Sequence, residues 1–398
     1  MSVLNPQVAD YLEKASWIRR MFEAGSELKQ KYGPENVFDF SLGNPDLPPP
    51  PEVGQALEEL GRNADRPYAL GYMPNAGLPG VRKALAGVVS KEQQVKLADE
   101  NIVVTCGAAG GINVFFRAVL RPGDEVVCPA PFFVEYSFYT QNFQGTFVPV
   151  PSKPVSFEMD LQAMRSAITP DTRVILINSP NNPSGQVYSI EELQELVDII
   201  QEKSSEYGHP IMLISDEPYR FLTYDDTVVP PVMALYPYSL VVSSYSKSLS
   251  MAGERVGYLA VHPEMPGGDE LLQGLNLTNR ILGFVNAPVI GQILLQKALH
   301  VTVDTEIYAS RRRAMAEIMD KAGLEFSLPR GGFYFFPKAP GGDDQKFVRE
   351  LFEENILAVP GSGFGYPGFV RFSFCVSEEV IRRAEPGLVR AVAGSGTP

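Results

Sequence analysis

Histidine, cysteine and tryptophan are nearly absent from this chain: three, three and one in 398 residues. Each scarcity removes a class of chemistry. Cys106, Cys128 and Cys375 are scattered with no CxxC spacing, so no zinc site is expected, and such thiols suit a reducing compartment. His209 lies between Gly208 and Pro210, His262 precedes Pro263, and His300 ends a helical stretch. All three read as structural or solvated groups, which argues against histidine-based chemistry and makes a lysine base more attractive. No uninterrupted apolar run reaches eighteen residues, so no membrane span is expected. The first residues, Met1-Ser2-Val3-Leu4-Asn5-Pro6, show no basic region followed by an apolar one, so no signal peptide is expected and a cytoplasmic location fits. A basic excess is also missing. Thirty-four Lys and Arg face 47 Asp and Glu, and the net charge of −13 argues against nucleic-acid and anionic-membrane partners. An anionic small molecule is still allowed, because a few arginines make a local positive site.

The apolar share of 44 % and charged share of 20 % are those of an ordinary globular protein. The length suits two domains better than one simple core. Short apolar runs, 102–105, 125–128, 174–178, 211–215 and 240–243, alternate with helical stretches. Such continuous runs predict strands buried on both faces, as in a mostly parallel sheet of an α/β protein. Ser189-Ile190-Glu191-Glu192 is a capping box opening an amphipathic helix to about Lys203. The Pro-rich stretch 45–51 is a connector. From about Gly291 the pattern changes to long helices, with strand-like runs at 332–336 and 369–374. The expected division is a large domain at 50–290 and a smaller α+β domain combining 1–49 with 291–398.

In parallel sheets ligands gather outside the carboxyl ends of the strands, and five segments leave strands in that manner. Lys247 follows the apolar strand and the small residues Ser243, Ser244 and Ser246, with Arg255 eight residues on. A lysine placed there is suited to form an imine with an aldehyde. A free lysine is neutral in only about one molecule in a few thousand at pH 7, so burial or a cation such as Arg255 must lower its pKa. Thr105-Cys106-Gly107-Ala108-Ala109-Gly110-Gly111 leads into a helix and serves equally as a tight turn or as a phosphate cradle. Phe133 is either a stacking face or a core residue. Asn182 lies in Asn178-Ser179-Pro180-Asn181-Asn182-Pro183-Ser184-Gly185 and offers an amide donor, although turn chemistry explains most of that loop. Asp216 directly follows its apolar run, where a buried carboxylate needs a partner; a protonated pyridine nitrogen qualifies, and Tyr219 is three residues on.

These pieces match one ligand, pyridoxal phosphate, which takes an imine-forming lysine, an acid for the ring nitrogen, a donor for O3′, a stacking face and a phosphate cradle. The chain resembles the class I/II aminotransferases, the aspartate-aminotransferase family of fold type I, over nearly its whole length. The resemblance implies a large domain with a mostly parallel central sheet flanked by helices, plus a smaller α+β domain. It implies that Lys247 is the Schiff-base lysine, that Asp216 pairs with the pyridine nitrogen, and that Tyr219 and Asn182 bind O3′. Gly107, Ala108, Ala109, Ser244 and Arg255 match phosphate-binding positions, and Phe133 takes the place of the stacking aromatic. Tyr72 matches a tyrosine that reaches the phosphate of the neighbouring subunit, which implies a homodimer with shared active sites. Arg371 matches the arginine that grips the substrate α-carboxylate, which accepts two parallel hydrogen bonds from a guanidinium. Gly43 resembles a glycine whose backbone lines the substrate pocket.

The implied activity is transfer of an amino group from an L-amino acid to a 2-oxo acid, with an aspartate-type substrate favoured. A C–S β-lyase of the cystathionine type shares every cofactor residue and stays open, as does a non-catalytic regulator that binds pyridoxal phosphate. A dicarboxylic substrate needs a second cation; Arg280, Arg19 and Arg330 are candidates, and each also suits an ordinary surface or interface position.

Overall fold

The computed structural model describes residues 3–14, 25 and 27–395. Seven strands make the central sheet: β1 (Ile102–Thr105), β2 (Glu125–Ala130), β3 (Thr146–Pro151), β4 (Thr172–Asn178), β5 (Met212–Asp216), β6 (Ser239–Ser244) and β7 (Gly257–Val261). Their spatial order is β1-β7-β6-β5-β4-β2-β3. The pairs from β6 to β3 are parallel. Only β7 runs backwards, antiparallel to both β1 and β6.

The apolar runs form these strands because both faces of the sheet are covered. Along β4, Ile175 and Ile177 join one buried cluster while Val174 and Leu176 join another on the opposite face. Such alternation with apolar residues at every position is the mark of a sheet between two helical layers. The five strands expected from apolar runs are all present. β3 and β7 were not foreseen. β3 is an edge strand and carries Pro149 and Pro151, which an edge tolerates because a missing N–H costs no ladder bond there.

Ser189 and Glu192 cap the helix Ile190–Tyr207 reciprocally, and it runs four residues beyond Lys203 to a left-handed Gly208. Pro51, the last residue of the Pro-rich stretch, stands in the first turn of the helix Pro51–Asn63, so the connector ends one residue earlier than expected.

A third cluster gathers Phe40 with residues between Tyr219 and Ala391, among them Tyr308, Phe333, Phe335, Phe347, Phe372 and Leu388. It underlies a three-stranded antiparallel sheet in the order Val359–Pro360, Val370–Ser373, Tyr334–Phe335. The strand-like runs at 332–336 and 369–374 are thus strands, shorter than their apolar patterns. The helix Val289–Ala298 packs instead with the first cluster, through Leu294, Leu295 and Ala298. Arg371 sits on the middle strand of the small sheet and faces the carboxyl edge of the large one across a cavity.

Candidate active site

The carboxyl ends of β4, β5 and β6 lie side by side, with Asn178 in register with Asp216 and Asp216 with Val242. Because β7 runs backwards, it begins at this same edge, and Gly257 pairs with both Ser244 and Thr105. Arg255, two residues earlier, is thereby delivered to the edge where the parallel strands end. Gly257 has to be glycine: a Cβ there would lie 2.5 Å from the Ser243 oxygen and 2.8 Å from the Gly107 carbonyl carbon.

A cavity of about 320 Å³ opens above this edge. Among the residues singled out from the sequence, Gly43, Ala108, Ala109, Phe133, Asn182, Asp216, Tyr219, Ser244, Lys247, Arg255 and Arg371 all line it. Gly107 lies directly behind, where an added Cβ would meet Arg255 Nη2 at 2.9 Å. Tyr72 does not line the cavity and is 93 % exposed. Arg280 and Arg330 are exposed and line no part of it, and Arg19 lies outside the described residues.

Asp216 ends β5 as a buried carboxyl group. Its Oδ2 accepts a hydrogen bond from the Tyr136 hydroxyl at 2.5 Å, and its Oδ1 is buried without a partner. Burial pushes its pKa up to about 7, with the Tyr136 bond opposing and the Glu217 charge adding to the rise. Glu217 itself is held by Ser215, Gln93 and Arg220 at 2.8–3.0 Å.

Lys247 leaves β6 through a short turn, and its Nζ donates to the Gly43 carbonyl at 2.6 Å. Burial, helped by the charges of Arg371 and Arg255, brings its pKa down to about 8, while Cys375 acts in the opposite direction. A substantial neutral fraction at neutral pH is what a nucleophilic amine requires.

The helix Gly107–Val119 starts beside Arg255 with no side-chain cap and no acidic residue in its first turn. Its first N–H groups and its dipole therefore favour an anion. The remaining end of the cavity belongs to Arg371. Nη1 donates to Asn182 Oδ1 at 3.1 Å and Nη2 to the Ser41 carbonyl at 2.6 Å. The guanidinium packs against the rings of Tyr334 and Phe364, 4.9 and 4.7 Å from their centroids. Nε is buried and unpartnered. Since Asn182 Oδ1 is engaged, its NH₂ is the free end. The loop that carries it is set from below, because Asn178 Oδ1 accepts from the Asn182 N–H at 2.7 Å.

Sequence reasoning missed Tyr136 and Tyr334 as site residues. Tyr136 is fully buried against Asp216, and the Tyr334 hydroxyl is 2.9 Å from that of Tyr219. Both stood in aromatic runs, Phe132-Phe133-Val134-Glu135-Tyr136 and Phe333-Tyr334-Phe335-Phe336, where one hydroxyl among rings was the available signal.

The donor set fits pyridoxal phosphate. Asp216 Oδ1 is an orphaned acceptor suited to a pyridinium N–H, the uncapped helix and Arg255 suit a phosphate, and Lys247 suits an aldehyde. Among the described residues no cluster of His, Cys, Asp and Glu could hold a metal ion.

The sequence pattern of the family described as Aminotransferase class I and II matches residues 35–385. A probable aspartate/prephenate aminotransferase of Aquifex aeolicus is 33 % identical over 357 residues, spanning 86 % of this chain and 88 % of its own. An amino transferase from Eubacterium rectale has a crystal structure with a TM-score of 0.94 at 36 % identity, over 100 % of both chains. The aspartate aminotransferase of Thermus thermophilus, solved with maleate, gives 0.85 at 27 % identity, over 98 % of this chain and 100 % of its own.

Proposed function

The chain belongs to the class I and II aminotransferases, and from that premise we propose the following assignment of its residues. The protein is a pyridoxal-phosphate-dependent transaminase that moves an amino group from an L-amino acid to a 2-oxo acid. When bound, the cofactor supplies an aldehyde for the amino group and a ring that stores the electron pair left at Cα. The single observation that carries the assignment is the convergence of the Lys247 amine and the unpartnered Asp216 oxygen on one cavity.

Asp216 holds the ring nitrogen and keeps it protonated. Tyr219 and the free NH₂ of Asn182 hold O3′. The first N–H groups at Gly107, Ala108 and Ala109, with Ser244 and Arg255, hold the phosphate, and Phe133 covers a ring face. Lys247 would anchor the aldehyde, and its free Nζ would take the proton from substrate Cα and return it to the carbon on the far side of the amino nitrogen, two atoms along. Arg371 is already oriented by Asn182 and Ser41, so it receives the α-carboxylate with little reorganisation. Gly43 lets the backbone approach closely: a Cβ there would lie 2.0 Å from the Tyr334 hydroxyl oxygen.

We place the active unit as a homodimer, with Tyr72 of a second copy completing the phosphate site. Tyr68, Leu70 and Tyr72 are 94, 55 and 93 % exposed, an apolar strip that suits an interface. The cytoplasm is the proposed location; among the described residues no helix is long and apolar enough to cross a membrane. The two-domain division at 50–290 and 1–49 with 291–398 is our proposal; in its favour, one apolar cluster is built mainly from residues 303–391, although Tyr219, Leu222 and Tyr224 join it, Phe336, Val359 and Phe369 join a cluster of the large sheet, and Val289–Ala298 packs with the sheet.

The names of the relatives make an aspartate-type donor the first one to test. Its second carboxylate would need a cation besides Lys247, Arg255 and Arg371, and among the described residues lining the cavity there is none. The test is an amino-donor panel with 2-oxoglutarate, read as glutamate formed. Glutamate formation supports the reading. Release of pyruvate and ammonia from an amino acid without any oxo acid would instead mean a β-lyase.

A further inference from the structure

Glu135 is a carboxyl group that none of the roles above uses. It begins the helix Glu135–Asn142 and lines the same cavity as Arg371, Tyr334 and Tyr139. Its Oε2 is buried without a hydrogen-bond partner. Arg371 faces the same space and also keeps an unpartnered atom, Nε, yet no hydrogen bond or ion pair joins the two side chains. Glu135 is therefore not the counter-ion that holds the arginine in place; Asn182, Ser41 and two rings do that.

Once a substrate α-carboxylate occupies Arg371, the rest of the substrate shares a cavity whose acidic lining residues are Asp216, already assigned, and Glu135. An acceptor enclosed in this way costs free energy until a donor reaches it. A side-chain carboxylate brings no donor and adds like charge. An amide NH₂, a hydroxyl or an ammonium supplies what is missing. Burial pushes the Glu135 carboxyl above its ordinary range, with the Arg371 charge acting against the rise, so an incoming cation would favour its ionised form.

We propose that Glu135 sets side-chain selectivity, favouring amino acids whose side chain donates hydrogen bonds or carries positive charge over dicarboxylic ones. This rests on the transaminase reading for the placement of the α-carboxylate at Arg371, and it refines the substrate class of that site. Sites that read a substrate's polar group through a buried partner discriminate strongly, because the wrong substrate leaves that partner unpaired.

The test uses the protein loaded with pyridoxal phosphate and two carboxylates of one shape, succinamate and succinate, which stand for the asparagine and aspartate side chains without an amino group to react. Their dissociation constants are measured by calorimetry for the wild type, Glu135→Gln and Glu135→Ala, alongside the half-reaction kcat/KM for asparagine, lysine and aspartate. The wild type is expected to bind succinamate more tightly than succinate. In Glu135→Gln that ratio moves toward succinate by about tenfold or more, and kcat/KM for aspartate relative to lysine rises in parallel. Glu135→Ala moves the binding ratio in the same direction, which separates the effect from any donor the glutamine itself introduces. A ratio unchanged in both variants overturns the proposal, as does a wild type that prefers succinate. If no amino acid is turned over but the binding ratio switches as stated, the transaminase reading fails and the role of Glu135 stands.

Discussion

Tyr136 donates its hydroxyl proton to one oxygen of Asp216 at 2.5 Å and leaves the other oxygen of that carboxyl group buried and open to the cavity. The bond engages one oxygen of the acid and leaves the other as an acceptor, the one we propose for a protonated ring nitrogen. It also opposes the effect of burial, which lifts the pKa to about 7.

That pKa makes the apo-protein's stability depend on pH. A carboxyl group raised to about 7 from an ordinary 3.8 binds its proton more tightly in the folded than in the unfolded chain. Its contribution to stability is therefore complete in acid and is lost as pH rises from about 4 to about 7, by up to about 4 kcal/mol. Asp216→Asn should remove this slope. The melting temperature of the apo variant relative to apo wild type is expected to climb across that window, and parallel profiles would refute it. The same variant should still capture cofactor but turn over about a thousandfold more slowly.

Arg371→Lys keeps the charge and loses the fork. A lysine cannot offer two parallel N–H groups to a carboxylate, and it lacks the planar guanidinium that packs against the rings of Tyr334 and Phe364. We expect kcat/KM for amino acids to fall by roughly thirty- to a hundredfold, mostly through KM, with the absorbance of bound cofactor unchanged. A variant within threefold of wild type would contradict the proposed role of Arg371 in binding the carboxylate.

Gly43→Ala should act through Tyr334. The new methyl would lie 2.0 Å from the hydroxyl oxygen and 2.8 Å from the Cζ of Tyr334, so the ring must move away from Tyr219 and Arg371. A loss of about 1–3 kcal/mol in stability is expected, with a raised KM for amino acids. Thermal melts and steady-state kinetics check it, and an unperturbed variant would show that the segment shifts freely.

Particular residues show why the sequence revealed some of this and hid the rest. Asp216 was legible because an acid at the end of a five-residue apolar run has few structural reasons to be there. Lys247 and Arg255 were legible through their spacing and the small residues between them. The central strands were legible because a sheet covered on both faces writes unbroken apolar runs. β3 was not, since an edge strand needs no such run and holds two prolines. Tyr136 and Tyr334 were hidden because their roles depend on partners 80 and 115 residues away, which no local pattern encodes. Glu135 was hidden for the opposite reason: its significance lies in a bond it does not make.

The proposed dimer has its own consequence. Sedimentation should give two chains per particle, and Tyr72→Phe should leave that assembly intact while weakening retention of pyridoxal phosphate by about tenfold. A monomeric wild type, or a Tyr72→Phe variant that holds the cofactor as tightly as wild type, would contradict shared sites.

The most direct test of the central claim is where, and at what pH, the protein captures the cofactor's aldehyde. Apo-protein is incubated with pyridoxal phosphate across a pH series, reduced with borohydride and mapped by mass spectrometry. Lys247, with its pKa brought down to about 8, should carry the label alone, and capture should rise with pH through a midpoint near 8 and level off well above it as the amine becomes fully neutral. A label spread over surface lysines with a midpoint near the ordinary lysine value, or a Lys247→Ala variant labelled as well as wild type, would contradict the account.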